Sequence, residues 1–476
     1  MSTLRPLATA LAAALALGAC AVGPDFHRPA APHVEQYVPG APPAGSDAER
    51  FLDGRELPAN WWTTFGSPEL DALVLEALRA NPSVDGAQAA LRQALENYKA
   101  QLGAFLPTVA VDGDASRNKN AVNVLAPTLS SGAPYYNLYT ANLSVAYTLD
   151  ITGANRRAAE SLRATAESTR YQLDATYLTI AGNVVVAAIQ EAGLEAEVGA
   201  TEHAIRIARD SLAIMRRQFE LGAIARLDVA TEETTLAQLE GSLPPLRRQL
   251  EVTRHLLAVL LGRLPADTPA VPALAALTLP AEVPLGVPAE LVNRRPDVRA
   301  AEAALHAATA ADGVAIAALL PQLTLAGNIG SNATTIGNVL KSGTGFWSIG
   351  ADLSQTLFAG GALVHRKRAA DAALDEAGAA YRASVLAAFQ NVADALRTVE
   401  TDAAALEAAR RARQSAAESL GIVRRQLELG AVSTLVLTGA EQAYDQASVA
   451  ELAARSNALA DTAALYQALG GPIERH

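Results

Sequence analysis

The sequence predicts an α+β fold: a trimeric membrane β-barrel of twelve strands, four from each chain, continued by a long α-helical barrel and built on an internal two-fold repeat. Three observations predict it. The chain is written twice: Asn81-Pro82-Ser83-Val84 and Ala89-Ala90-Leu91 recur as Arg295-Pro296-Asp297-Val298 and Ala303-Ala304-Leu305, and Glu220-Leu221-Gly222-Ala223 recurs as Glu428-Leu429-Gly430-Ala431. Self-similarity of this kind marks two copies of one structural unit. Each copy also holds two stretches in which apolar and polar residues alternate. Each further holds a proline-free, alanine-rich amphipathic run, Gly153 to Gly222 and Gly361 to Gly430, that would reach roughly 100 Å at about 1.5 Å per residue.

Composition agrees with long packed helices, because the 476 residues are 50% hydrophobic but only 5% aromatic. A formal net charge of -11 offers no basic stripe, which excludes nucleic acid as a partner. The single cysteine, Cys20, excludes a disulfide framework and a thiolate-rich metal site. It ends a leader in which Arg5 precedes an apolar stretch, Leu7 to Leu17, and then Leu17-Gly18-Ala19. The pattern resembles a bacterial lipobox. That resemblance implies that residues 1–19 are a signal peptide, that Cys20 is acylated, and that residues 20–67 form a lipid-anchored N-terminal segment. Ala21 follows the cysteine in place of an aspartate that would resemble an inner-membrane retention signal. Later apolar runs such as Leu256 to Leu261 are far shorter than the roughly 18 to 20 residues of a spanning helix, so further crossing is expected by strands.

The repeats are expected at residues 68–262 and 289–470, with a proline-rich linker at 263–288, which the family resemblance given below implies to be part of an equatorial region, and a tail at 471–476. Within each, a helix begins at Pro82 or Pro296, whose fixed φ suits a first turn, and ends before Pro107 or Pro321. Hairpins are expected over 107–150 and 321–358. Leu143, Val145, Tyr147 and Leu149 alternate with Asn142, Ser144, Ala146 and Thr148, and Ile349, Ala351 and Leu353 alternate with Gly350, Asp352 and Ser354. The partner strands do the same, Val109 and Val111 against Asp112 and Asp114. Asp112, Asp114, Asn142 and Asp352 therefore fall on the polar face and are expected in the lumen. The connections, roughly Arg117 to Tyr136 and Ser331 to Gly345, read as exposed loops. After each tip glycine a shorter helix returns, from about Ile224 to Leu261 in the first copy, where it is expected to stack end to end with the Pro82 helix.

Alternating strands fit a soluble sheet as well as a barrel. Here the hairpins sit between very long helices with nothing to cover their apolar face, and lipid would cover it. Four strands leave two unpaired edges, which a bilayer does not tolerate, so copies must close the barrel together. Eight strands fill their own interior, whereas twelve leave a pore. Helix periodicity alone also fits a solid coiled coil; the hairpins and the duplication favour a hollow one.

The chain is similar to the TolC-like outer-membrane factors, in the lipoprotein branch that serves resistance-nodulation-division efflux pumps. The resemblance rests on Cys20-Ala21-Val22-Gly23-Pro24-Asp25-Phe26, Trp61-Trp62-Thr63-Thr64-Phe65 and Arg294-Arg295-Pro296-Asp297-Val298, and it covers essentially the whole mature chain. It implies a trimeric outer-membrane β-barrel and a lipid-anchored, passive export duct for drugs or other small molecules. It also implies two protein partners, a periplasmic membrane-fusion adaptor and an inner-membrane pump, and no cofactor. Leu221, Gly222, Ala223, Leu429, Gly430 and Ala431 are implied to be the helix tips that meet the adaptor. The family's periplasmic gate carries a leucine and an aspartate beyond the second tip. Leu435 matches the leucine, Gly439 stands where the aspartate belongs, and Asp228 and Glu441 are the neighbouring carboxylates.

Two other readings compete. An enzyme finds little support: the seven histidines are scattered without metal-ligand spacing, and Ser116-Arg117-Asn118-Lys119 fits a serine-x-x-lysine string without its companion motifs. A periplasmic coiled-coil scaffold lipoprotein without a pore would share the helices but not conduct.

Overall fold

The computed structural model describes residues 21–30, 32, 36–37, 50–53, 57–119, 135–280, 282–285 and 288–471. Cys20, residues 1–19 and all of residues 120–134 in the first connection lie outside the described residues. The chain forms two compact units, one of residues 1–28, 91–168 and 301–381, the other of residues 29–90, 169–300 and 382–476.

The first unit holds a four-stranded antiparallel sheet of β2 (Thr108–Lys119), β3 (Tyr135–Leu149), β5 (Gln322–Ala333) and β6 (Gly345–Ser354), in that spatial order. Both hairpins lie where the alternation placed them. The strands run further than expected into the connections, and the second connection contains a short 3-10 turn, Ile336–Asn338. The register puts Val111, Leu143, Ile329 and Trp347 in one cross-strand row and Asp112, Asn142, Gly330 and Phe346 in the next. Because successive residues point to opposite faces, these rows lie on opposite sides of the sheet. The apolar side faces outward uncovered within the chain: Trp347 is 73% exposed and Ile349 82%. Gly330 is required where it stands, since a Cβ there would lie 2.5 Å from the Ala141 carbonyl oxygen.

Helices enter and leave this sheet. The elements are α1 (Pro68–Ala80), α2 (Pro82–Leu102), α3 (Ala154–Glu220), α4 (Arg226–Leu260), α5 (Pro288–Arg294), α6 (Pro296–Ala317), α7 (Ala362–Glu428) and α8 (Thr434–Ala468). The order is the same in both halves, α1 to α4 and then α5 to α8. The two long helices, α3 and α7, have 67 residues each. Part of α3 is apolar enough to cross a bilayer by composition, a signal that short apolar runs do not reveal, but 72% of that window is buried inside the protein. It is a packed core segment around Val184, Val185, Ala188 and Ile189.

The second unit also contains the core of the region around the linker. Trp61 stacks on Tyr466 at 5.4 Å, and Trp62 and Phe65 meet Trp61 edge-on. The linker is more ordered than its prolines suggest. Its β4 (Glu282–Leu285) pairs in parallel with β1 (Arg50–Asp53), a two-stranded ribbon in which Pro284 is tolerated because no further strand needs its missing N–H.

The expected end-to-end stacking is present in both copies. Asn81 donates from its side chain to the Leu260 carbonyl oxygen at 2.8 Å and accepts the Ser83 N–H at 2.8 Å, so one residue closes α4 and opens α2. Arg295, at the equivalent place, donates to the Ala468 carbonyl oxygen at 2.8 Å. At Asn81 the C-terminal carbonyl of one helix and an N-terminal amide of the next are thereby satisfied together, while Arg295 serves only the carbonyl and Asp297 accepts the Val298 N–H at 2.9 Å.

Candidate functional site

Three surfaces carry the expected functional residues. The first is the polar face of the sheet. Asp112 accepts from Ser144 Oγ at 2.9 Å and stands directly across from Asn142; Thr148 meets Thr324 at 3.2 Å, and Ser348 donates to Asn328 at 3.1 Å. Asp114 opposes Thr140, and Asp352 opposes Thr324. All four expected lumen residues share this face. A census of its described positions finds three carboxylates and no lysine or arginine. Arg117 and Lys119 fall on the other face, where Lys119 lies over the Tyr135 ring at 5.3 Å. Phe346, which alternation assigns to the polar side, was not singled out; the bare Gly330 beside it in the register gives its ring room.

The second surface is the pair of helix tips. Gly222 and Gly430 have φ of 74° and 75°, a left-handed conformation that favours glycine. At the first, the Ala223 N–H donates to the Gln218 carbonyl at 2.8 Å and the Gly222 N–H to Phe219 at 2.9 Å; the second repeats this with Ala431 to Gln426 and Gly430 to Leu427. Both are Schellman ends, in which glycine caps the helix. Capping does not account for the neighbouring leucines. Leu221 is 69% exposed and Leu429 83%, apolar side chains held in solvent by rigid turns. Thr434 donates to Gln218 Oε1 at 3.4 Å and ties one hairpin to the other close to the tips.

The expected gate residues have different surroundings. Leu435 is half-exposed in the first turn of α8. Asp228 is committed locally: its carboxylate accepts the Ala225 N–H at 3.1 Å and caps α4. The buried acid at this end is Glu232, which sequence reading passed over because nothing in a helical period marks one glutamate among several. Burial pushes its carboxyl up, the neighbouring Glu441 adds to that, and a hydrogen bond from Thr438 opposes it. Glu441 itself pairs with Arg424 at 3.2 Å.

The third surface begins one residue after the cysteine. Residues 21–28 form a strap on the first unit. The Val22 N–H donates to the Thr152 carbonyl at 3.1 Å. Arg157, with its side chain only 5% exposed, donates to the Val22 and Gly23 carbonyls at 3.1 and 3.3 Å, to Asp25 at 2.6 Å and to Glu160 at 2.8 Å. That hydrogen bond and the guanidinium charge hold the Asp25 carboxyl below the usual carboxylate range. Phe26 stacks on His306 at 4.4 Å, and Arg28 reaches Glu302 at 3.0 Å. Gly23 has φ of 95° and packs so closely that a Cβ would lie 2.5 Å from the Gly313 Cα.

A family profile described as "Outer membrane efflux protein" matches residues 73–263 and 287–471. The chain belongs to that family. Among its relatives, the pyoverdine export outer membrane protein OpmQ of Pseudomonas putida is 31% identical over 90% of this chain and 92% of its own length. The probable efflux pump outer membrane protein TtgC of Pseudomonas putida is 30% identical over 96% and 94%. Among solved structures, the outer-membrane channel OprN superposes with a TM-score of 0.84 at 29% identity, over 95% of this chain and 99% of that one. The protein is thus an outer-membrane efflux channel and not an enzyme, and the pore-less scaffold is set aside.

Proposed function

We propose that three copies of the chain close a twelve-stranded barrel in the outer membrane and a helical conduit in the periplasm, forming the exit duct of a tripartite efflux system for drugs or other small molecules. The observation that carries this reading is the four-stranded sheet, which has unpaired edges at β2 and β6, an outward apolar face and a polar face lined by Asp112, Asp114, Asn142 and Asp352. Closure with neighbouring copies satisfies the edges, lipid covers the apolar side, and water fills the other. Two repeats, 68–262 and 289–470, each supply one hairpin and one long coiled pair.

The exposed Leu221 and Leu429, presented by rigid Gly222 and Gly430 turns beside Ala223 and Ala431, fit the docking of a membrane-fusion adaptor that leads to an inner-membrane pump of the resistance-nodulation-division type. Leu435 forms the apolar constriction near the tips, where Gly439 supplies no carboxylate. Cys20, one residue before the docked strap, bears the acyl chains that fasten the chain to the inner leaflet.

The test is reconstitution. Detergent-extracted protein is expected as a trimer that conducts ions in a planar bilayer, and Leu221→Glu with Leu429→Glu is expected to conduct normally while failing to restore drug resistance to a strain lacking its own channel. A monomer without conductance refutes the duct, and full resistance with both glutamates refutes tip docking.

A further inference from the structure

The apolar side of the sheet is not evenly covered by its own side chains. In the row Val145-Gly327-Ile349 the middle strand presents only a hydrogen, and a hollow of about 320 Å³ opens there, walled by Leu143, Val145, Ile329, Trp347 and Ile349. Backbone geometry does not demand this glycine, because its φ is not positive. Nor does close packing demand it. A Cβ at Gly327 would meet its nearest neighbours, the Ser348 carbonyl oxygen and Ile349 Cγ1, at 3.8 and 4.0 Å, which is ordinary contact. Gly330 is forced by a 2.5 Å approach, and Gly327 is not. The fold would accept a side chain in this hollow, and the sequence leaves it open.

The strap leads toward it. From Arg28 back to Gly23 the strap meets Glu302, His306 and Gly313 in turn, so it follows α6 toward β5 over about 16 Å, at about 1.5 Å per helical residue. It also follows α3 back toward β3. Arg157 holds Val22 and Gly23, the Val22 N–H reaches the Thr152 carbonyl, and a Cβ on Gly153 would lie 2.6 Å from the Ala21 Cα. Gly153 comes soon after β3 ends at Leu149, and β3 pairs with β5, so the strap delivers Ala21 to the foot of the β3–β5 seam. The way from there to the hollow is apolar, across the rows Leu149-Leu323-Leu353 and Tyr147-Leu325-Ala351. From Leu149 to Val145 the strand rises about 13 Å, close to the roughly 15 Å of hydrocarbon in one leaflet.

We propose that an acyl chain borne by Cys20, the residue before Ala21, runs up this seam and fills the hollow over Gly327. The inference rests on the acylation and the barrel proposed above, and it makes the anchor a packed part of the subunit's outer face instead of a free tail in the leaflet. Burial of apolar surface does not drive this placement, since a tail gains nothing by exchanging one hydrocarbon surrounding for another. Two other effects do. Tethering at the foot of the seam gives this tail a high effective concentration at the hollow, and its methylenes gain dispersion contacts with walls that would otherwise face a gap. The seam so covered is the pairing of β3 with β5, which joins the two repeats.

The experiment uses the full-length protein made in cells fed a fatty acid that carries a diazirine at its terminal carbon. Isolated outer membranes are irradiated, and the extracted protein is digested and read by mass spectrometry. The expected product is an intramolecular link from the Cys20 acyl chain to β3, β5 or β6 at the rows of Val145 and Leu143. Gly327→Leu, which fills the hollow, is expected to lower that product about tenfold, while Gly113→Leu, on the same side of the sheet in β2, leaves it unchanged. Yields are compared between preparations that conduct equally. Links spread evenly over β2 and the seam overturn the proposal, as does an unchanged yield in Gly327→Leu or an equal loss in Gly113→Leu. A hollow labelled by phospholipid tails in place of the Cys20 chain also overturns it. An unmodified Cys20 refutes the anchor on which the proposal rests, and a parent that never inserts refutes the barrel; acylated, conducting trimers without the link refute the packed tail alone.

Discussion

Replacing Arg157 by alanine should release the strap without disturbing the sheet. The guanidinium bridges the Val22 and Gly23 carbonyls and two carboxylates from a nearly buried position. Asp25 is open to solvent and regains water when the strap moves, so it is left out of the magnitude. The two bonds from a charged donor to backbone carbonyls, at about 1.5 kcal/mol each on the low side of the usual range, give a loss of about 3 kcal/mol in docking. That corresponds to roughly a hundredfold rise in local opening. The readout is hydrogen exchange at the Val22 amide, which donates to the Thr152 carbonyl and opens only when this end of the strap leaves. Arg157→Lys should recover part of the protection, since it restores the charge without the fork. The far end should respond less, because Phe26 on His306 and Arg28 on Glu302 stay in place. Unchanged exchange at Val22 in Arg157→Ala, in protein of unaltered thermal midpoint, would falsify the view of Arg157 as the clasp.

Cys20→Ser behind a cleavable signal should still give membrane-inserted trimers, because the barrel and the strap hold without acyl chains; recovery of soluble monomer alone would count against the barrel. Asp402 on α7 is partly buried beside Asp461, and desolvation first, then the hydrogen bond and charge of that neighbour, pushes its carboxyl up to about 7. A folded-state value above the ordinary 3.8 means that the stability this group contributes is fully present in acid and is lost as pH rises from about 4 through 7. Asp402→Asn should flatten the thermal midpoint over that window, and an unaltered pH slope would show that the pair is not its source. Leu435→Ala should raise single-channel conductance, and no increase over the parent argues against an apolar constriction there.

Much of this architecture can be read from the chain because its signals are periodic and repeated. The alternation over Asn142 to Leu149 fixes both a strand and its two faces, since a slip of one residue would invert every side chain. The tip glycines are legible because Gly222 and Gly430 recur in the same context and only a positive φ explains glycine at both. Pairings that join distant residues are not legible in this way. Nothing local marks Arg157 as the partner of Asp25, or β1 as the neighbour of a proline-containing β4. Asp228 exposes a different limit: its distance past the tip suggested a gate, but the position also suits a helix cap, and the shorter-range interaction holds its carboxylate. Glu232 was passed over for the opposite reason, because its burial depends on which helix lies against it.

The joints between stacked helices bear on the order in which the protein is made. Asn81 and Leu260 belong to one half of the chain, and Arg295 and Ala468 to the other. Each closure can therefore be completed without the other half, the first while the second is still being synthesised. The longest link that does require both halves is the β3 to β5 pairing, where Tyr139 to Leu149 run against Leu323 to Ala333, and contacts such as Trp61 on Tyr466 and Thr434 on Gln218 join the halves elsewhere. Before that zipper forms, each half carries only a two-stranded ribbon with open edges, and such ribbons are marginal alone. The lipid-facing strands can thus settle only after the second hairpin has been made, which keeps the subunit's stickiest surface unfinished until the chain has passed Ser354.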